Sequence, residues 1–403
     1  MKVDTMRKID FYAGVPLCFL VTLLARIGRL FRRPARVAPQ KVLLVELSEM
    51  GSAILVDPAM RKLQQHGCEL YFAIFKKNAT SLRLLDTVAE ENVFTIRENG
   101  LFVLAFDTLR FLFWTRRRGI DTVIDLELFS RYTALLTGMS GAPNRVGYYA
   151  FHNEGLYRGE LLTHRVAYNP HIHIAKNFIA LANAALSEKE ELPYSKTLIG
   201  DEEIVLAKAP VSDEEKAAIH AKVREDFPGY DPAQQRLVLV NPNASDLLPQ
   251  RRWMRERFIE VMQQVLQTYP DTLILITGAP GEREEAEQLR KWVGQERCVN
   301  FAGRLKLREL PALYSVSTLM LTNDSGPGHF SAVTDMPTFV IFGPETPKLY
   351  GSLGNCTAIY AGLACSPCVS ASNHRKTPCV DNVCLQAITP RRVFAALQPV
   401  LEG

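Results

Sequence analysis

From about residue 41 onward, short apolar runs alternate with stretches of helical period. In the first half, the runs at 41–47, 69–75, 91–96, 120–126 and 145–148 predict strands, with helical patterns near 53–66, 102–117 and 129–139. In the second half, the runs at 236–241, 272–277, 298–301, 318–322, 337–342 and 356–360 predict strands, separated by helices near 253–268, 282–293, 307–315 and 327–334. Strands alternating with helices imply a parallel, doubly wound sheet. The pattern restarts after a polar, charged interval at about 186–235, which carries its own helical segment at 212–226. The expected organisation is therefore a leading segment 1–40, a first Rossmann-like domain 41–195 and a second one 196–403. A final helix at about 390–400 is expected to cross back onto the first domain. Ligands of such sheets bind at the carboxyl ends of the strands.

The leading segment adds a different pattern. Phe11 to Ala25 is apolar, interrupted only by Gly14, Pro16 and Thr22, and Arg26, Arg29, Arg32, Arg33 and Arg36 follow it. An apolar stretch of about 15 residues falls short of the roughly 20 needed to span a bilayer. No small-residue cleavage pattern precedes the arginines, so a secretory signal is not expected. Apolar then basic suits a helix lying against an anionic membrane surface. The competing reading is a helix packed on the protein itself. The net charge of +4 is small. Without a concentrated basic face, nucleic acid is not an expected partner.

The richest local chemistry lies in Asn323-Asp324-Ser325-Gly326-Pro327-Gly328-His329. An apolar run, 318–322, leads in, and Phe330-Ser331-Ala332-Val333 follows as the start of a helix. A buried strand thus ends in an acidic, Gly-rich turn that opens a helix, where backbone N–H groups suit phosphate. An acid beside them can accept hydrogen bonds from sugar hydroxyls. The pair of features suggests a nucleotide-sugar site.

A helix length later comes Pro337-Thr338-Phe339-Val340-Ile341-Phe342, then Gly343-Pro344-Glu345-Thr346-Pro347. Near the start, Lys41-Val42-Leu43-Leu44-Val45-Glu46-Leu47-Ser48 leads into Glu49-Met50-Gly51-Ser52 and Pro58-Ala59-Met60-Arg61. Together these resemble the ADP-heptose:lipopolysaccharide heptosyltransferase family, with its L-S-x-x-G-D, P-A-x-R, D-[ST]-G-x-x-H and F-G-P-[TE] segments. The likeness covers about residues 41–400. It implies the GT-B architecture, two Rossmann-like domains facing a cleft, and sugar transfer without a catalytic metal.

Such transfer needs a hold on the diphosphate, a hold on the sugar and a base for the acceptor proton. The resemblance places Asn243, Ser245 and Arg251 against the donor phosphates, where Arg251 would supply a bidentate cation; a solvated surface loop is the alternative. It gives Glu282 the ribose hydroxyls, although an acid near a helix start also simply stabilises the helix. Asp324 would meet the sugar or fix the turn. Ser325 and Gly326 would offer N–H groups to phosphate. His329 would contact phosphate or sugar, or pack as an ordinary helix histidine.

The base breaks the pattern, because Ser52 stands where the family has Asp. Glu49 in the same loop is the first replacement. Asp125 or Glu127, at the end of run 120–126, is the second, with an internal ion pair to Arg131 as their structural alternative. A chain that kept the fold as a non-catalytic binding or scaffold protein is the third. Acceptor contacts are expected among Arg145, Tyr148, Tyr149, His152 and His164.

Cys365, Cys368, Cys379 and Cys384 have spacing C-x2-C-x10-C-x4-C. Four thiolates at such spacing suit a structural Zn²⁺, with reduced thiols or disulfides as alternatives. The expected protein is a peripheral glycosyltransferase at the cytoplasmic face of a bacterial inner membrane. Its partners would be a nucleotide-sugar donor, most simply ADP-heptose, and a lipopolysaccharide-core or lipid-linked acceptor.

Overall fold

The computed structural model describes residues 3–31, 37–47, 50–151, 156–246, 248–370, 373 and 375–403. Glu49, His152, Arg32, Arg33 and Arg36 lie outside the described residues, as do the side chains of Arg29 and Ser52. The chain divides into two compact units, Met1–Val205 and Leu206–Gly403.

In the first unit, helices α1 (Val3–Tyr12) and α2 (Gly14–Phe31) precede β1 (Lys41–Val45), α3 (Met50–Leu55), α4 (Asp57–Gln65) and β2 (Glu69–Phe75). Then come β3 (Val93–Ile96), α5 (Leu101–Arg118), β4 (Thr122–Asp125), α6 (Arg131–Met139), β5 (Asn144–Tyr148), β6 (His164–Val166) and α7 (Ile174–Leu186). The six strands form one parallel sheet in the order β3-β2-β1-β4-β5-β6. On one side, Leu43, Val45, Tyr71 and Val123 of the strands pack with Phe111 of α5 and Leu136 of α6. Neither β6 nor α7 shows in the apolar pattern. Strand β6 is only three residues, two of them His164 and Arg165, and α7 is buried along most of its length, so polar positions do not mark its face.

The second unit opens with α8 (Asp213–Asp226) and β7 (Arg236–Asn241). It continues through α9 (Arg255–Thr268), β8 (Thr272–Ile276), α10 (Arg283–Val293), β9 (Cys298–Asn300), α11 (Leu310–Ser315), β10 (Leu319–Asn323) and α12 (Gly326–Ser331). It closes with β11 (Thr338–Phe342), α13 (Pro347–Tyr350), β12 (Cys356–Tyr360), α14 (Val383–Gln386) and α15 (Pro390–Glu402). Its sheet is also parallel, ordered β12-β11-β10-β7-β8-β9. Every residue of β8, β10 and β11 is buried, the signature of a sheet covered on both faces. Helix α15, expected to cross back, packs on α9 of its own unit, where Leu397 and Leu401 join the core and the Leu401 carbonyl accepts from Arg236.

The strand orders fix where chemistry can gather. In each sheet the chain first winds outward one way and then resumes on the other side of its first strand. The resulting switch points lie between β1 and β4 and between β7 and β10. At a switch point the loops leaving two adjacent strands diverge and open a crevice at the carboxyl ends.

Candidate functional site

At the second switch point, β7 ends at Asn241 and its neighbour β10 at Asn323, with Thr322 paired opposite Asn241. The buried Asn323 side chain ties the two following loops together. Its Nδ2 donates to the Pro242 carbonyl at 2.7 Å, and its Oδ1 accepts from the Trp253 N–H at 3.0 Å. Trp253 is buried and anchored through Nε1 to the Ile388 carbonyl at 3.0 Å. The loop 242–253 is thereby held against the turn at 324–326.

This brings Arg251 to the buried Asp324, 3.7 Å from Nη1 to Oδ2. A third group, Glu345 from the F-G-P-E turn after β11, is buried at the same place. It lies 3.4 Å from Arg375 Nε. These are ion-pair separations, too long for good hydrogen bonds. Arg251 Nε, Asp324 Oδ2 and Glu345 Oε1 are all buried without a hydrogen-bond partner. Leaving such groups unmade costs about 1–3 kcal/mol each. Three together are uncommon in a native interior and single out this cluster as a candidate site. Burial pushes the Asp324 carboxyl up to about 6, against the pull of Arg251. Burial, with the Asp324 charge adding to it, pushes Glu345 up to about 8. Both carboxyls thus favour their protonated forms more than a surface acid does.

The other donor candidates sit around this centre in different ways. Asn243 is half-buried, and a Cβ added to Gly278 would lie 3.0 Å from its Nδ2 and 2.9 Å from Glu282 Oε2. Gly278 thus lets the side chains of Asn243 and Glu282 converge over the ends of β7 and β8. Glu282 Oε2 also accepts from the Ala279 N–H at 2.6 Å, so its turn-stabilising role is real. Ser245 lies in the exposed part of the loop. Ser325 Oγ bonds the Asn323 carbonyl at 3.2 Å, and Gly326 begins α12. Helix α12 has only six residues, so its dipole is weaker than the sequence pattern implied. His329 is half-buried, with its Nδ1 3.4 Å from Ser352 Oγ.

At the first switch point, Val45 of β1 pairs opposite Asp125 of β4. Asp125 is fully buried and paired with Arg158, and its Oδ1 accepts from the Glu127 N–H at 3.1 Å. The expected partner, Arg131, instead pairs with Asp10 of α1 at 3.1 Å. The reason is position: Arg131 opens α6 and faces the helices ahead of β1, while the loop after β5 delivers Arg158. Burial raises the Asp125 carboxyl to about 6, with Arg158 opposing and Glu127 adding. Glu127 is half-buried and its Oε1 accepts from the Leu47 N–H at 3.1 Å. That bond places Glu127 beside the segment that leads into Ser48 and Glu49. Among the acceptor candidates, Arg145 is spent on the Leu161 and Ala142 carbonyls, Tyr148 and His164 are buried, and Arg165 stacks 4.4 Å over Tyr149.

The four clustered cysteines are free thiols. Cys384 is buried and raised above its usual range by desolvation, with the other three thiols adding to it. Yet among the described residues no three Cys, His, Asp or Glu side chains gather as a ligand set. Cys379 Sγ turns instead to the Asp381 carboxylate at 3.3 Å.

The sequence signals missed here are Asn323, Arg158 and Glu345. Glu345 was visible within the F-G-P-E segment, but only the fold brings it close enough to Asp324 for their charges to interact.

Comparison with known proteins agrees with this architecture. The sequence model of glycosyltransferase family 9 (heptosyltransferase) matches residues 114–377. Lipooligosaccharide heptosyltransferase 2 of Campylobacter jejuni is 27% identical over 42% of this chain and 52% of its own length. The chain thus spans about half the length of the curated relatives it matches first. Among solved structures, E. coli ADP-heptose lps heptosyltransferase II superposes with a TM-score of 0.68 at 19% identity, covering 90% of this chain and 99% of that one. A family 9 glycosyl transferase from Veillonella parvula gives 0.67 at 16% identity, over 92% and 99%. At these identities the structures establish the fold, two doubly wound parallel sheets of the GT-B kind. The family match, covering well over half the residues, settles the rest: the chain belongs to glycosyltransferase family 9.

Proposed function

We propose that this protein transfers a sugar, most simply heptose from ADP-heptose, to a lipopolysaccharide-core or lipid-linked acceptor, with inversion at the anomeric carbon. The observation that carries the reading is the Arg251–Asp324–Glu345 centre at the second switch point, with its unmet buried hydrogen-bonding capacity. Arg251 and the Asn243 amide hold the diphosphate, Glu282 takes the ribose hydroxyls, and Asp324 meets the sugar. Ser325, Gly326 and His329 line the same turn. Relatives of similar sequence are named as heptosyltransferases, which supports the donor. The acceptor proton goes to a carboxylate at the first switch point. Glu49 is the first candidate from the sequence, and Glu127, whose Oε1 accepts from the Leu47 N–H, is the second. Asp125 is the weaker choice because Arg158 holds it. The reading involves no catalytic metal.

The leading helices hold the protein on the cytoplasmic surface of the inner membrane. In support, the helical stretch Thr5–Gly28 contains an 18-residue window of mean hydropathy 1.7, long and apolar enough by composition to cross a bilayer. It is also docked on the domain, which favours lying on the membrane over crossing it.

The test is turnover of ADP-heptose with a heptose-deficient lipopolysaccharide core, comparing Glu49→Gln, Glu127→Gln and Asp125→Asn. Glu49→Gln should lower kcat by about a hundred- to ten-thousand-fold with donor affinity nearly intact. Loss in Glu127→Gln alone moves the base to the loop after β4. Absence of donor turnover in the parent rejects transfer and leaves the scaffold reading.

A further inference from the structure

Helix α5 is amphipathic in the wrong sense for a water-facing helix. Its inner side buries Asp107 and Thr115 along with Phe111. Asp107 is held there by Arg97, at 2.8 Å to Nη2, which keeps its carboxyl down at about 2. Its outer side exposes Phe102, Phe106, Leu109 and Phe113, with Phe102 at 94% exposure. These positions are spaced i, i+4, i+7 and i+11, so all four lie on one stripe. A contiguous exposed patch of large hydrophobic side chains marks an interaction surface. At its carboxyl end the stripe runs into Arg116, Arg117 and Arg118, of which Arg116 and Arg117 are exposed.

A second apolar face lies on the same side of the sheet. Helices α5 and α2 both pack against α6. Gly14 allows this approach, since a Cβ there would lie 2.8 Å from Arg131 Cβ. Cys18 and Thr22 face inward; the Thr22 hydroxyl accepts from the Glu160 N–H at 3.0 Å. Arg26 fastens the same helix to Glu160 at 2.6 Å. The opposite side of α2 exposes Leu17, Leu20, Leu24 and Ile27. A helix clamped to the domain at three successive turns presents its outer side to whatever lies against the domain.

We propose that the outer stripe of α5 is a second membrane-docking surface, working with α2, and that its occupant is the headgroup–acyl boundary of an anionic bilayer. The proposal rests on the membrane reading of the leading helices and extends it to a helix inside the first sheet's own winding. Phenylalanines enter the boundary while the arginines at the end of the stripe meet lipid phosphates. Charge selects this occupant: an apolar stripe closed by the exposed Arg116 and Arg117 suits an anionic surface better than a second copy of a chain carrying the same cations.

The experiment is vesicle flotation of the full chain, using phosphatidylethanolamine–phosphatidylglycerol vesicles against phosphatidylcholine alone. The parent should float with the anionic vesicles. The variant Phe102→Ser/Leu109→Ser/Phe113→Ser, which alters only exposed side chains, should lose at least about tenfold in partitioning while keeping its circular dichroism. A separate Leu20→Ser/Leu24→Ser variant reports on α2. In addition, Phe102→Trp should give a new emission component quenched by brominated lipid, a reading independent of the triple variant's folding. If the α5 variant floats like the parent, or Phe102→Trp is not quenched while the parent floats, the α5 surface is wrong and membrane binding through α2 stands. If the parent does not float, both are wrong. If the vesicle-free parent is a dimer that the α5 variant turns monomeric, the stripe is a protein interface and the proposal is overturned.

Discussion

At the scale of single residues, two side chains at the second switch point lead to predictions of different kinds. Arg251 stands 3.7 Å from Asp324, and its Nε has no hydrogen-bond partner. Arg251→Ala should weaken binding of a nucleoside diphosphate by about 1.5–3 kcal/mol, the worth of a charged hydrogen bond. Titration calorimetry with ADP checks this, and unchanged affinity would remove Arg251 from the diphosphate site. Glu345 makes a stability prediction. Its native carboxyl is raised to about 8, whereas in the unfolded chain it titrates near 4.5. Between those values the native state holds a proton that the unfolded state has released, so its effect on stability worsens as pH rises through that window. Asp324, raised to about 6, acts with the same sign between about 4 and 6. Glu345→Gln is neutral at every pH and should flatten the profile. Relative to the parent it should gain about 3 kcal/mol between pH 5 and pH 8 in urea denaturation. A parent whose stability rises across that range would contradict the assignment. None of this was legible in the residue pattern. A carboxylate's proton affinity depends on burial and on neighbours distant in sequence, here Asp324 and Arg251.

At the scale of elements, the joint between the leading helices and the first sheet rests on Asp10. Its Oδ1 accepts from the Arg131 and Tyr132 N–H groups at 2.9 and 3.0 Å, in the first turn of α6, and its Oδ2 meets the Arg131 guanidinium. An anion from α1 therefore caps α6, alongside the Ser130 hydroxyl that accepts from the Thr133 N–H. Asp10→Ala should cost about 1–3 kcal/mol by leaving a buried guanidinium with less partnership. Hydrogen exchange at Arg131 and Tyr132 should accelerate, and unchanged exchange there would mean the joint does not depend on Asp10. The strands were nearly all legible, because a buried parallel strand is a short apolar run whatever surrounds it. Helix α5 was legible as a helix, from 102–117 against the observed Leu101–Arg118. Its inverted faces were not recognised, since nothing within the helix says which side meets the sheet.

At the scale of the whole molecule, ligand binding and stability are coupled unit by unit. A nucleoside diphosphate held at Asn243, Arg251 and Glu282 binds residues that all belong to Leu206–Gly403. At about a hundredfold over its dissociation constant, ADP should stabilise that unit by about 2.7 kcal/mol. Native-state proteolysis with fragment mapping should show the protection in the second unit, and protection confined to Met1–Val205 would misplace the donor. The amino-acid sequence by itself determined the alternation of strand and helix, the restart that makes two doubly wound sheets, and the turns that carry Asp324, Arg251 and Glu345. These follow from local periodicity and from backbone requirements satisfied within a few residues. Only the tertiary structure decided which of these turns meet. The order β12-β11-β10-β7-β8-β9 sets β10 beside β7 across some eighty residues of chain, and so brings Asp324 to Arg251. The order β3-β2-β1-β4-β5-β6 likewise sets Glu127 beside Leu47, gives Asp125 to Arg158, and leaves Arg131 to Asp10. Partners of this kind are chosen by the crossovers that wind the sheet, and a crossover leaves no local trace in the pattern of apolar and polar positions.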